Sequence, residues 1–100
     1  MPIQIGSYNF DGPHQNIAML WNQSGVYAIL GSNGNNSWSV VDLGESHDVR
    51  TRVENHDRAR CWRSQGYQAL TVAAYYVPEW QRMLIEQELR AQYRPPCGDC

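Results

Sequence analysis

The strongest pattern in the chain is GVYAIL, residues 25–30, six uncharged positions rich in β-branched and aromatic side chains. A continuous apolar run of this length suits a strand buried on both faces. GSNGNNS, residues 31–37, is a turn cluster of glycine, asparagine and serine, on the long side for a hairpin loop. WSVVDL, residues 38–43, is the partner strand, which Gly44 breaks. Ser46 then caps a helix whose second turn begins at Asp48. Val49 and Val53 face the sheet from that helix, while Arg52 and His56 stand one turn apart on a neighbouring stripe. ALTVAAYYV, residues 69–77, predicts a third strand. Pro78 suits the first turn of a last helix, Glu79 favours its N-terminal end, and Pro95-Pro96 stops it.

The first twenty residues carry weaker signals. PIQIGSYNF alternates faintly and suits a short edge strand, DGPHQ reads as a turn, and NIAMLW suits one helical turn that packs Met19, Leu20 and Trp21 on the core. The order strand, strand, helix, strand, helix predicts a small α+β domain with a three-stranded antiparallel sheet flanked by helices. Residues 1–20 are read as an N-terminal extension, 21–94 as the domain and 95–100 as a tail.

Composition narrows the classes. At 100 residues and 42% apolar content, the chain supports one small core and is not a disordered tail. No apolar run approaches a membrane span, and the N-terminus lacks a signal-peptide pattern, so a soluble cytoplasmic protein is expected. The net charge of −2 argues against a surface that attracts nucleic acid everywhere. Its distribution says more: lysine is absent, and five of the eight arginines fall between Arg50 and Arg63. Arginine offers a planar donor fork matched to phosphate oxygens. Cys61, Cys97 and Cys100 are an odd number without a signal peptide, which speaks against a disulfide framework, so reduced thiols in a loose tail are expected. One terminal C-x-x-C with scattered histidines is a weak zinc match.

Four elements then fall in order: Gly25-Val26-Tyr27 on the first strong strand, Asp42-Leu43-Gly44 at the end of the second, Arg52 and His56 in RVENH, and Glu86 nine residues before Pro95. This order resembles the GIY-YIG nuclease family over residues 21–98. Asp42 stands where that pattern has tyrosine, the hairpin is slightly longer, and Gly98 stands where an asparagine is common.

The resemblance implies a nuclease with Tyr27 as general base or water-positioner, Arg52 on the scissile phosphate, His56 assisting Tyr27, and Glu86 on a Mg²⁺ or Mn²⁺ ion. The chemistry agrees. Phosphodiester hydrolysis needs an activated water, neutralised phosphoryl oxygens and help for the leaving oxygen. Arg52 can fork onto a phosphate, and Glu86 is a hard carboxylate for a cation that keeps its waters. Tyr27 can take the water's proton only if nearby cations pull its pKa below the ordinary value of about 10. Each residue also has a plainer reading: a core tyrosine, a solvated helix face, and a Glu86 salt bridge to Arg82 or Arg90.

Arg50, Arg58, Arg60, Trp62 and Arg63 either track a nucleic-acid backbone or cover the core with Trp62 as anchor. Asp42 is placed beside Tyr27 at the rim, either adding an oxygen to the cation or pairing with Arg50 or Arg52. The expected function is metal-dependent cleavage of DNA, directed by nicks or branches or by a protein partner, since one module has little surface for reading sequence. The alternative is a catalytically silent module of the same fold that binds nucleic acid or a protein.

Overall fold

The GVYAIL run becomes the central strand. In the computed structural model, which describes residues 2–34 and 36–98, it lies in β3 (Gly25–Ser32), every residue of which is buried. β4 (Ser39–Ser46) pairs along one side of it and β5 (Ala69–Tyr76) along the other, both antiparallel. A strand covered on both faces needs apolar side chains at successive positions, which is why GVYAIL shows no alternation.

The sheet has five strands rather than the three expected. β1 (Pro2–Ile5) and β2 (Tyr8–His14) form a hairpin that joins the outer side of β5, giving the order β1-β2-β5-β3-β4. The first residues are thus part of the sheet. DGP does not reverse the chain: it lies inside β2, where the register against β5 shifts between Asp11 and His14. Pro13 has no N–H to give the ladder, so the turn residues produce an irregularity within the strand.

Gly44 does not end β4 either. It pairs with Tyr27 inside the ladder, and its missing side chain leaves room for the Tyr27 ring, whose Cε2 would stand 2.8 Å from a Cβ at Gly44. The close packing, not a chain break, explains this glycine.

Two cores flank the sheet. On one face Tyr27, Ile29, Val72 and Ala74 pack with Leu20 and with two short helices, α1 (Val49–Glu54) and α2 (Ala59–Ser64). On the other face Val26, Ala28, Leu30, Leu43 and Phe10 pack on Ile85 and Leu89 of α3 (Glu79–Tyr93). Of the NIAMLW patch, Leu20 is buried while Met19 and Trp21 are exposed. Asp48, not Ser46, is the cap of α1, accepting from Thr51 N–H at 3.1 Å.

The C-terminal segment is not a loose reduced tail. Arg94 takes a left-handed turn after α3, and Cys97 N–H donates to Val41 O of the edge strand β4 at 3.1 Å. Cys97 is buried and disulfide-bonded to Cys61 of α2. Cys100 lies outside the described residues. Among the described residues, no helix is long and apolar enough to cross a membrane.

Candidate active site beside the central ladder

α1 stops at Glu54 because Asn55 turns both its backbone N–H and its side-chain amide onto Thr51 O, at 3.2 and 3.0 Å. His56 is therefore outside the helix, contrary to the expected stripe shared with Arg52. Leaving the helix lets the imidazole turn inward. Its Nε2 reaches Tyr27 Oη at 2.5 Å.

The protonation of this pair follows from its surroundings. Arg58 N–H donates to His56 Nδ1 at 3.0 Å. Asp57 Oδ1 is also near Nδ1, at 3.3 Å, but the backbone N–H is closer and can only donate, so Nδ1 is an acceptor. Burial, then Arg52 and Arg58, lowers the His56 pKa to about 4, so the ring is neutral near pH 7. The remaining ring proton is on Nε2, and His56 donates to the Tyr27 oxygen. Burial pushes the Tyr27 pKa up to about 12 against the pull of Arg58, Arg52 and Arg90. The lowering by cations that a base would need does not occur, because desolvation of the phenolate outweighs the three guanidinium groups. Tyr27 is a neutral phenol whose own proton is available to donate.

Asp42 departs most from expectation. It is fully buried, not at a rim, and pairs across the ladder with Ile29. Neither Arg50 nor Arg52 meets it. Its carboxylate accepts from Arg58 Nε at 2.8 Å, Arg90 Nη2 at 2.7 Å, Trp62 Nε1 at 2.7 Å and Leu43 N–H at 2.8 Å. A carboxylate inside a doubly covered strand needs this many donors to be tolerated. The sequence held that signal: an aspartate within VVDL, bounded by apolar neighbours, demands a cationic partner. What it could not show is which arginines reach it.

The other residues divide. Arg52 pairs with Asp57 at 3.1 Å and is 37% exposed, so its guanidinium stands at the outer side of the site. Glu86 accepts from Arg90 Nε at 3.1 Å and connects to Asp42 through that arginine; among the described residues no contact joins it to Tyr27, Arg52 or His56. Arg58 belongs to the Asp42 cluster and Trp62 is a buried anchor of α2, 4.7 Å from the His56 ring. Arg50 pairs with Glu54 at 3.4 Å, whereas Arg60 and Arg63 are exposed. α2 went unseen in the sequence because six residues carry too little periodicity to announce a helix. No cluster of three or more His, Cys, Asp or Glu among the described residues could hold a metal by itself.

A neutral phenol held by a histidine, bordered by Arg52, Arg58 and Arg90, is suited to orienting a water or a phosphoryl oxygen in a cationic setting. No family model matches the sequence, and no curated protein does. Solved structures match the fold. Three point variants of the GIY-YIG N-terminal endonuclease domain of UvrC from Thermotoga maritima, each bound to a catalytic divalent cation, superpose with TM-scores of 0.61, 0.60 and 0.59. Identity is 18, 19 and 18%, and each match covers 84% of this chain and 91% of that one. The α+β architecture of this chain is that of the GIY-YIG endonuclease domain.

Proposed function

We infer that the chain is a metal-dependent endonuclease that hydrolyses DNA phosphodiesters, directed by branches, nicks or a protein partner rather than by base sequence. The observation that carries this reading is the Tyr27–His56 pair, joined at 2.5 Å over Gly44 and bordered by Arg52, on a GIY-YIG endonuclease fold.

The residues fit a divalent cation in a limited way. Glu86 offers one carboxylate with 22% of its side chain exposed, and its Oε2 is already engaged by Arg90. That suits a Mg²⁺ or Mn²⁺ ion held by one protein oxygen, its own waters and the substrate phosphate, not a dedicated protein cage. When bound, such a cation supplies charge neutralisation at the phosphoryl and leaving oxygens.

The chain's own residues supply positioning. Arg52, exposed at the outer side, forks onto the phosphate once it exchanges Asp57 for the substrate, a small cost for a surface pair. His56 donates its Nε2 proton to Tyr27 Oη and so turns the phenol proton outward. Tyr27 then donates to the attacking water or to a phosphoryl oxygen. With a pKa near 12, Tyr27 orients and is not a base resting in its ionised form. Of the two roles the resemblance implied for Tyr27, water-positioner is the one we assign.

A silent binding module is the second reading, favoured by Asp42, which occupies Arg58 and Arg90. Incubation with nicked, flapped and branched duplexes plus Mg²⁺ or Mn²⁺ separates the two. The nuclease reading predicts cleavage that falls by about 10²-fold or more in Arg52→Ala, in line with loss of one donor to a developing charge, and a comparable fall in Glu86→Gln. Cleavage unchanged in both variants defeats it. Binding without cleavage, weakening steeply with salt, supports the module.

A further inference from the structure

The chain turns at Arg94 and runs back over the Asp42 cluster. Gly98, with φ +86°, lies so close that a Cβ there would stand 2.7 Å from Asp42 Oδ1 and 2.9 Å from Arg58 Nε. Residues 95–98 therefore roof the guanidinium groups of Arg58 and Arg90, the first of which exerts the largest charge effect on Tyr27. Tyr27 is 1% exposed and the His56 side chain is buried, so a phosphodiester reaches the phenol oxygen only after some cover moves; residues 95–98 are the cover on the Arg58 and Arg90 side.

The roof is anchored by Pro95 and Cys97, which are buried, and by three bonds at Cys97. Cys97 N–H donates to Val41 O, Arg90 Nη1 donates to Cys97 O at 3.5 Å, and the Cys61–Cys97 disulfide ties the segment to α2. Beside it opens a cavity of about 360 Å³ lined by Arg90, Arg94, Pro95 and Gly98, which gives the segment room to shift. Of the two disulfide residues, Cys61 is the one that is not fully buried. Cys61 is half-buried, and the exposed Gln65 places Nε2 at 3.7 Å from Cys61 Sγ and 3.8 Å from Cys97 Sγ.

We propose that the Cys61–Cys97 disulfide is a redox latch: oxidised, it holds residues 95–98 over Arg58 and Arg90 and withholds them from a substrate phosphate; reduced by a dithiol, it frees the segment and opens the site. The proposal rests on the nuclease reading for its consequence, though not for its chemistry. A thiolate of the dithiol attacks Sγ of Cys61, the more exposed of the two residues, forming a mixed disulfide. The S–S bond breaks with its electron pair on Cys97 Sγ, which faces the Gln65 N–H and takes up a proton. The second thiol then displaces Cys61, leaving two protein thiols and one disulfide on the reductant. A closed form suits oxidising compartments and an open form suits reducing ones.

The test uses the full chain as Cys100→Ser, so that a single pairing is available, with and without dithiothreitol and with thiols counted. Hydrogen exchange at the Arg94 and Cys97 amides, the bonded N–H groups of the segment beside Pro95 and Pro96, is expected to rise at least tenfold on reduction, while β3 stays protected. Affinity for a labelled DNA duplex in EDTA is expected to rise at least fivefold. Cys97→Ser is expected to match the reduced form in both buffers; if it does not fold, reduction of the parent chain carries the test. Protection at the Arg94 and Cys97 amides that survives full reduction overturns the latch, and so does release without any gain in DNA affinity. Equal loss of protection across β3 to β5 also overturns it, since the disulfide is then a staple for the whole domain. If affinity responds as expected but added Mg²⁺ or Mn²⁺ brings no cleavage in either state, the latch stands and the nuclease reading falls.

Discussion

Asp42→Asn keeps the shape of the side chain and removes its charge, which isolates what the carboxylate does. The native group accepts from Arg58, Arg90, Trp62 and the Leu43 N–H, all within 2.7–2.8 Å at their closest. An amide keeps one acceptor oxygen and turns an NH₂ toward donors, so at least one guanidinium loses its partner. Hydrogen bonds to charged groups contribute about 1.5–3 kcal/mol each. Breaking a fully buried pair costs about 3–5 kcal/mol, but Arg58 and Arg90 are 27% and 21% exposed, and water recovers part of that. We expect a loss of about 3 kcal/mol, or a Tm lowered by roughly 12–24 °C for a domain of this size. Urea and thermal melts measure it, and a double-mutant cycle with Arg90→Met should return a coupling of at least about 1 kcal/mol. DNA affinity at low salt, measured with the disulfide reduced, should rise, because the released guanidiniums become available. A stability loss below about 0.5 kcal/mol, the level of an ordinary surface change, would refute the reasoning. Reduced DNA affinity would show instead that Asp42 positions the arginines for substrate.

Gly44→Ala forces a methyl into the Tyr27 ring and should cost about 1–3 kcal/mol by overpacking, seen in thermal melts together with a shifted Tyr27 ring resonance; a silent substitution would mean the ring has freedom the packing denies it. Stability should fall as pH drops from about 6.5 toward 4, because the unfolded chain protonates His56 while the folded chain holds its pKa near 4, and it should level off below that. The upper limit is ~3.4 kcal/mol at 1.36 kcal/mol per unit, and His56→Gln should flatten the slope in urea midpoints; an identical slope in that variant excludes His56 as its source. Trp62→Phe removes the donor to Asp42 Oδ2 and should lower stability by about 1–2 kcal/mol while leaving DNA affinity within twofold. A large drop in affinity at unchanged stability would restore Trp62 as a base-stacking residue.

What was legible in the sequence is what short-range pattern controls. β3, β4, β5 and α3 follow from apolar runs and from proline placement, because burying those runs leaves few alternatives. The hairpin of β1 and β2 was hidden since DGP carries strong turn residues, and only pairing against β5 keeps them in a strand. His56 was placed on a helix because R-V-E-N-H fits a helical spacing, whereas Asn55 caps the helix one residue earlier. The disulfide joins residues 36 apart, and nothing local in either cysteine's neighbourhood announces the other. Charge distribution likewise told which arginines exist and not which are free. Arg58 and Arg90 are committed internally, a fact that depends on where β4 runs.

Two of the places where this chain leaves the resemblance, Asp42 and Gly98, are physically one feature with the cysteine pair. An aspartate at position 42 sits on an edge strand, so a side chain from α3 on the far layer can pass around the edge: Arg90 donates to both Asp42 Oδ1 and Leu43 O. With Arg90 and Arg58 converging there, the passing chain must come within van der Waals contact of both, and Gly98 is the residue without a side chain that permits it. An asparagine at that position would collide with the cluster. Once Gly98 is held so, Cys97 faces α2 and meets Cys61. A phenol ring at position 42 has no space while Arg58, Arg90 and Gly98 close around it. The aspartate, the glycine and the cysteine pair therefore stand or fall together, and replacing any one of them tests the whole arrangement rather than a single missing catalytic group.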